Sequence, residues 1–105
     1  MSNTVFELNG KTLTVKPDGE LDSMTSPIFE KELRQHLSGV DSIVVDFEKV
    51  NYISSAGLRV FLAVENTLEA QGAKMKLIHV NEHILEIFDL VGFMDVVEVE
   101  QPNDS

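Results

Sequence analysis

Residues 42–62 read "SIVVDFEKVNYISSAGLRVFL", and this stretch decides how the chain folds. Its first part, "SIVVDF" (42–47), is a β-branched run without polar alternation, which suits a strand covered on both faces of a sheet. Its last part turns helical at Ala56-Gly57-Leu58, where apolar residues start to recur at helical spacing. Between the two stand adjacent hydroxyls, Ser54 and Ser55. A serine ahead of a helix is first of all an N-cap, its oxygen accepting a free N–H of the first turn. One oxygen fills that role, so the second serine needs another reason. Gly57 needs one as well, because glycine inside a helix costs about 1 kcal/mol against alanine. It points to a close approach at the backbone or to a turn that needs freedom.

Working outward, "TVFEL" and "KTLTVKP" flank Asn9-Gly10, a favoured two-residue turn, so residues 4–8 and 11–16 are expected to form a β-hairpin. "DGELD" reads as a turn ending near Asp22. "SPIFEKELRQHL" follows as a helix, with Ser26 as cap candidate and Pro27 in the first turn, where its missing N–H costs nothing. Ile28, Phe29, Leu33 and Leu37 form its apolar stripe, and Gly39 ends it. Beyond the serines, the helical pattern runs to Gly72. "KMKLIHV" (74–80) is the next strand, and "NEHILEIFDLVG" (81–92) a short helix capped by Asn81 and ended by Gly92. "MDVVEVE" (94–100) reads as a last strand. The order β-β-α-β-α-β-α-β argues for an α/β fold with a largely parallel sheet. Without an internal repeat or linker, residues 1–105 read as one domain with a polar tail from about residue 101.

The chain carries 8 Lys+Arg against 18 Asp+Glu, a formal charge of −10. Such a surface repels a phosphate backbone or an anionic lipid surface, so neither nucleic acid nor membrane is expected as a partner, and a basic protein surface suits it better. With no cysteine there is no disulfide framework, thiolate metal site or thiol nucleophile. No stretch has the form of a secretory signal or approaches the ~18 apolar residues of a membrane span, which makes a cytoplasmic location the expectation.

The chemistry open to the serine loop is narrow. Ser55-Ala56-Gly57 is half of a nucleophile elbow, but Ile53 stands where the full motif has glycine, and no histidine sits in a facing loop. No enzymatic role is therefore expected. A phosphate fits better, since free N–H groups and the helix dipole favour negative charge at a helix start. Phosphorylation would add about −1.5 to −2 charges and three acceptors there.

"VVDFEKVNYISSAGLRVFL", together with "GELD" (19–22) and "IFDLVGF" near the end, resembles the anti-sigma factor antagonists of the STAS family. That family's pattern is an apolar strand ending in Asp-(aromatic or Leu), a short loop, then Asp-Ser-(Ser/Thr/Ala)-Gly-Leu opening a helix. Here Asp46-Phe47 and Ser55-Ala56-Gly57-Leu58 match it, while Ser54 replaces the Asp. The resemblance spans essentially the whole chain. It implies a single STAS-type domain: a mixed, mostly parallel sheet of about five strands, an N-terminal β-hairpin and three helices. It implies phosphorylation at Ser55, with Ser54 as runner-up, and a partner surface of Glu20, Asp22, Ser54, Ser55, Ala56, Gly57, Leu58 and Arg59. The implied partners are an anti-sigma factor serine kinase, bound only by the unphosphorylated form so that a sigma factor is released, and a PP2C-type phosphatase. ATP and magnesium belong to the kinase, and the domain, a monomer by default, has no catalytic residue, cofactor or metal of its own. The alternative within the same fold is a constitutive accessory subunit of a transporter or scaffold of a signalling assembly.

Three other groups have structural readings. Asp22 prepares the next helix, and Asp46 either orients the serine loop or simply ends the central strand. His79 and His83 are four residues apart but fall in a strand and a helix, which argues against a metal pair. Phe88, Leu90, Val91 and Phe93 read as core and helix-end packing, with Phe93 or Met94 able to extend a partner surface if exposed.

Overall fold

The computed structural model describes residues 3–101. Strand β1 (Val5–Asn9) and strand β2 (Thr12–Lys16) form the N-terminal hairpin, followed by the short β3 (Gly19–Leu21) and helix α1 (Ser26–Arg34). Next come β4 (Ser42–Asp46), β5 (Val50–Ile53), α2 (Ser55–Ala70) and β6 (Lys74–Ile78). Helix α3 (Glu82–Leu90), a 3₁₀ turn (Phe93–Asp95) and β7 (Glu98–Val99) complete the order.

Five strands form one sheet in the order β1-β2-β4-β6-β7, with β1 antiparallel to β2 and every other pair parallel. This is the mixed, mostly parallel sheet with an N-terminal hairpin and three helices that the sequence predicts. The parallel pair β3–β5 is a separate two-stranded sheet that the sequence reading does not anticipate. Strands of three and four residues are too short to carry a period, and only their pairing makes them strands.

The central strand departs from expectation. Ile43 and Val45 are fully buried, as are Val15 and Leu77 on its neighbours, whereas Thr14, Val44 and Lys76 are half-exposed. The helices therefore cover one face of the sheet, not both. The other face is polar and carries ion pairs, Lys16–Glu7 at 3.4 Å and Lys76–Glu98 at 3.8 Å. Exposed pairs of this kind add little stability, and the buried apolar face carries the fold.

A chain of phenylalanines ties the helices to the sheet. Ring centroids lie 5.6 Å apart for Phe29–Phe61, 5.5 Å for Phe61–Phe47, 6.2 Å for Phe47–Phe88 and 4.4 Å for Phe88–Phe93. These spacings suit offset and edge-on contact, which adds to the area each ring buries.

Several local boundaries shift, each for a packing reason. The hairpin loop is Gly10-Lys11, not Asn9-Gly10: Asn9 pairs with Thr12, and Gly10 takes φ +65° at the first loop position. Helix α1 ends at Arg34, because Leu37 and Val40 turn into the core and the Gln71 amide satisfies their carbonyls at 2.9 and 3.4 Å. Ser26 is no cap: Thr25 holds that position, and Ser26 is buried in the first turn with its hydroxyl unpartnered. Ile28, expected in the apolar stripe, is exposed, while Phe29, Leu33 and Leu37 are buried. Strand β6 stops at Ile78, and His79 leaves it in a left-handed conformation at φ +58°. The expected strand over 94–100 shrinks to Glu98–Val99, because Phe93 is drawn in against Phe88 and the chain coils before it can extend. Of the expected tail, residues 102–105 lie outside the described residues.

Candidate functional site

The short parallel pair brings together two segments that are far apart in sequence. Leu21 at the end of β3 is in register with Ile53 at the end of β5, so the turn after one strand lies beside the serine loop after the other. One atom holds the loop. The Leu21 carbonyl accepts the Ser54 N–H at 2.9 Å and the Ser54 hydroxyl at 3.3 Å. Ser54 Oγ in turn accepts the Ala56 N–H at 3.2 Å, as the N-cap of α2, with its backbone extended at φ −99° and ψ 178°. Its carbonyl accepts the Leu58 N–H at 3.0 Å, the first bond of the helix.

Ser54 thus spends its hydroxyl inside the fold. Ser55, the first residue of α2, is exposed, and among the described residues its hydroxyl has no hydrogen bond. Capping and exposure are divided between the two serines.

Gly57 is buried directly behind them. A Cβ built on it would lie 2.8 Å from the Leu21 carbonyl oxygen and 2.7 Å from Ile53 Cγ1. The close approach expected at Gly57 is therefore contact with β3 and β5, which seats the first turn of α2 against the small sheet. Ala56 and Leu58 are half-buried, and Arg59 is exposed.

The Gly-Glu-Leu-Asp segment stands next to this corner. Glu20 is exposed on β3 opposite Tyr52. Asp22 turns its carboxylate to its own chain, where Oδ1 accepts the N–H groups of Thr25 and Met24, each at 2.9 Å. These two bonds, Thr25 foremost, hold the Asp22 carboxyl below the usual carboxylate range. Asp22 therefore has the helix-preparing role, and Glu20 keeps its side chain in solvent beside the loop.

Asp46 does not orient the serine loop. Its Oδ1 accepts the Glu48 N–H at 2.9 Å and lies 2.9 Å from His79 Nδ1, closing the β4–β5 turn and tying it to the end of β6. Partial burial pushes its carboxyl up, but the Glu48 N–H and the His79 ring outweigh this and leave it lowered. The same contact raises His79 above the usual imidazole value, first through the hydrogen bond and then through the carboxylate charge. Among the described residues no group of three or more His, Asp and Glu is placed to hold a metal ion.

On its other side, α2 opens onto a shallow apolar groove that sequence reasoning missed. Ser55, Leu58, Arg59 and Leu62 line one wall, and Val91, Gly92, Phe93 and Val96 the other. Leu90, Val91 and Val96 are 84%, 60% and 57% exposed, so Leu90 and Val91 are not core as expected. Phe93 lines the groove with only 2% of its surface exposed, and Met94 is half-buried. The cause is Gly92, whose φ of +72° reverses the chain so that Phe93 turns in while its apolar neighbours stay out. Leucine and valine side by side at a helix end read as core in a sequence; only the turn at Gly92 shows otherwise.

Among the described residues no helix is long and apolar enough to cross a membrane. The profile of the STAS domain matches residues 3–103. The anti-sigma-B factor antagonist of Bacillus subtilis is 24% identical over 103 residues, covering 98% of this chain and 94% of that protein. The anti-sigma-B factor antagonist of Staphylococcus aureus (strain NCTC 8325) is 30% identical over 92 residues, covering 87% of this chain and 85% of its own. In structure, an anti-sigma factor antagonist from Mycobacterium paratuberculosis superposes with a TM-score of 0.85 at 19% identity, covering 99% of this chain and 89% of that one. At that identity the superposition speaks for the fold.

Proposed function

The chain belongs to the STAS domain family, and on that premise we propose that it is an anti-sigma factor antagonist switched by phosphorylation of Ser55. The observation that carries this reading is the division of labour at the loop. Ser54 is consumed as the cap, while Ser55 presents a free hydroxyl at the exposed start of α2. Names of relatives that cover nearly the whole chain support the antagonist role. The domain acts by binding rather than by catalysis, and it works in the cytoplasm.

In the unphosphorylated state the corner formed by Glu20, the serine loop, Leu58 and Arg59 docks an anti-sigma factor that is itself a serine kinase, and the sigma factor is freed. The partner brings the ATP and magnesium. Ser55 Oγ attacks the γ-phosphorus: the Oγ–P bond forms, the bond to the β–γ bridging oxygen breaks, ADP leaves, and a base of the kinase takes the hydroxyl proton. The added charge on a docking face then weakens the complex without disturbing the core. A PP2C-type phosphatase resets the loop with water.

Peptide mapping of the protein from its own host tests this directly. An added mass of about 80 Da on the peptide holding Ser55 is expected. The same mass on Ser54 would reject the assignment, because that hydroxyl is the cap. A chain that stays unmodified with ATP-supplied host lysate would reject the switch and leave a constitutive accessory or scaffold role.

A further inference from the structure

Ser55 and Arg59 are four residues apart on α2, the spacing that sets two side chains over one another on a helix face. Both line the groove, and Arg59 is the only lysine or arginine that does. Cations are scarce in this chain, 8 against 18 acidic residues, yet Arg59 has no ion pair or hydrogen bond among the described residues. Arg34, the other arginine, behaves differently: its guanidinium bonds Glu30 at 2.9 Å and Thr67 at 3.1 Å. An unpaired guanidinium on so acidic a chain stands beside a hydroxyl that is also unpaired.

Resting on the reading of Ser55 as the modified residue, we propose that Arg59 is the intramolecular receptor of the phosphoryl group carried by Ser55. A phosphoserine supplies about two negative charges and three acceptor oxygens. The guanidinium answers them with a planar fork of donors that suits two oxygens at once. Leu58 and Leu62 line the same groove, an apolar surface along which a methylene stem can lie while its charged head stays in solvent. Modification then changes two things together: it adds charge at Ser55 and ties down the groove's one cation.

The test uses the full chain with phosphoserine installed at position 55 by genetic encoding, followed by ³¹P NMR through the second phosphate ionisation. The chain with Arg59 is compared with Arg59→Gln and Arg59→Lys. The helix-terminal amides act on the phosphate in all three and cancel. At low salt the second pKa is expected to be lower in the parent chain than in the neutral Arg59→Gln variant by roughly 0.15–0.4 units. Arg59→Lys should fall between, and the difference should fade near about 0.5 M salt. Equal pKa values in the parent chain and the Arg59→Gln variant would overturn the proposal. Because the phosphoserine is installed, this result is independent of whether the host modifies Ser55, which the peptide map decides separately. Arg59 is exposed and unpaired, so both variants should melt with the parent chain, and a matching melt confirms that the comparison is between folded proteins.

Discussion

Gly57 and Leu21 meet so closely that a Cβ on the first would lie 2.8 Å from the carbonyl oxygen of the second. That carbonyl already accepts the Ser54 N–H, so it cannot retreat without releasing the serine loop. Gly57→Ala is therefore expected to destabilise by about 1–3 kcal/mol, the usual range for overpacking. Thermal melting would read this as a fall of roughly 4–8 °C per kcal/mol. An unchanged melting temperature would mean that the corner relaxes freely.

The two serines should separate in a denaturation experiment. Ser54→Ala removes the cap of α2 and should cost about 1 kcal/mol. Ser55→Ala removes an exposed, unbonded hydroxyl and should stay within about 0.5 kcal/mol of the parent. Equal losses would contradict the division of labour between them.

Binding should show the reverse order of importance. Ser55→Ala should hold the kinase partner permanently, whereas Ser55→Asp, with its added charge, should weaken the complex while leaving the melting temperature within a few degrees. Co-purification and calorimetry with the host kinase measure both. If both variants bound like the parent, the loop would not be the switch.

Asp22 should matter through its acceptor oxygen. Asp22→Ala leaves the Met24 and Thr25 N–H groups without their partner and should lower the melting temperature more than Asp22→Asn, which keeps one oxygen. The folded pKa lies below the ordinary value of 3.8, so the carboxylate's contribution is present above that value and is lost as pH falls through the folded pKa. The gap between parent and Asp22→Asn should accordingly close in acid.

The Asp46–His79 pair predicts opposite limits on its two sides. His79 is raised from 6.5, so its contribution is full below that value and disappears as pH climbs through the higher folded pKa. Asp46 is lowered from 3.8, so its share is present above that value and is lost on acidification through its folded pKa. The pair should therefore help most between about pH 4 and 6.5, and modestly, since His79 is half-exposed. An NMR titration of His79 should show a midpoint that drops in Asp46→Asn. A midpoint indifferent to that change would remove the pair from the account.

Much of this molecule can be read from the chain alone, because the signals are local and chemical. Asn81 caps α3, its oxygen 2.8 Å from the Ile84 N–H, and the apolar runs give β4, α2 and β6 within a residue or two. The motif from Asp46 to Leu58 points to the STAS family. What the chain alone leaves open depends on contacts between distant segments. Residues 19–21 and 50–53 become strands only by pairing with each other, and Ser54 becomes the cap because Leu21 holds it. Leu90 and Val91 read as core because apolar character marks what can be buried, not what is. Gly92 sends Phe93 inward and leaves those two outside, since one aromatic ring already fills the space against Phe88. Composition and periodicity determined the longer elements; pairing between distant segments made the short strands, and close packing decided which side chains stay exposed.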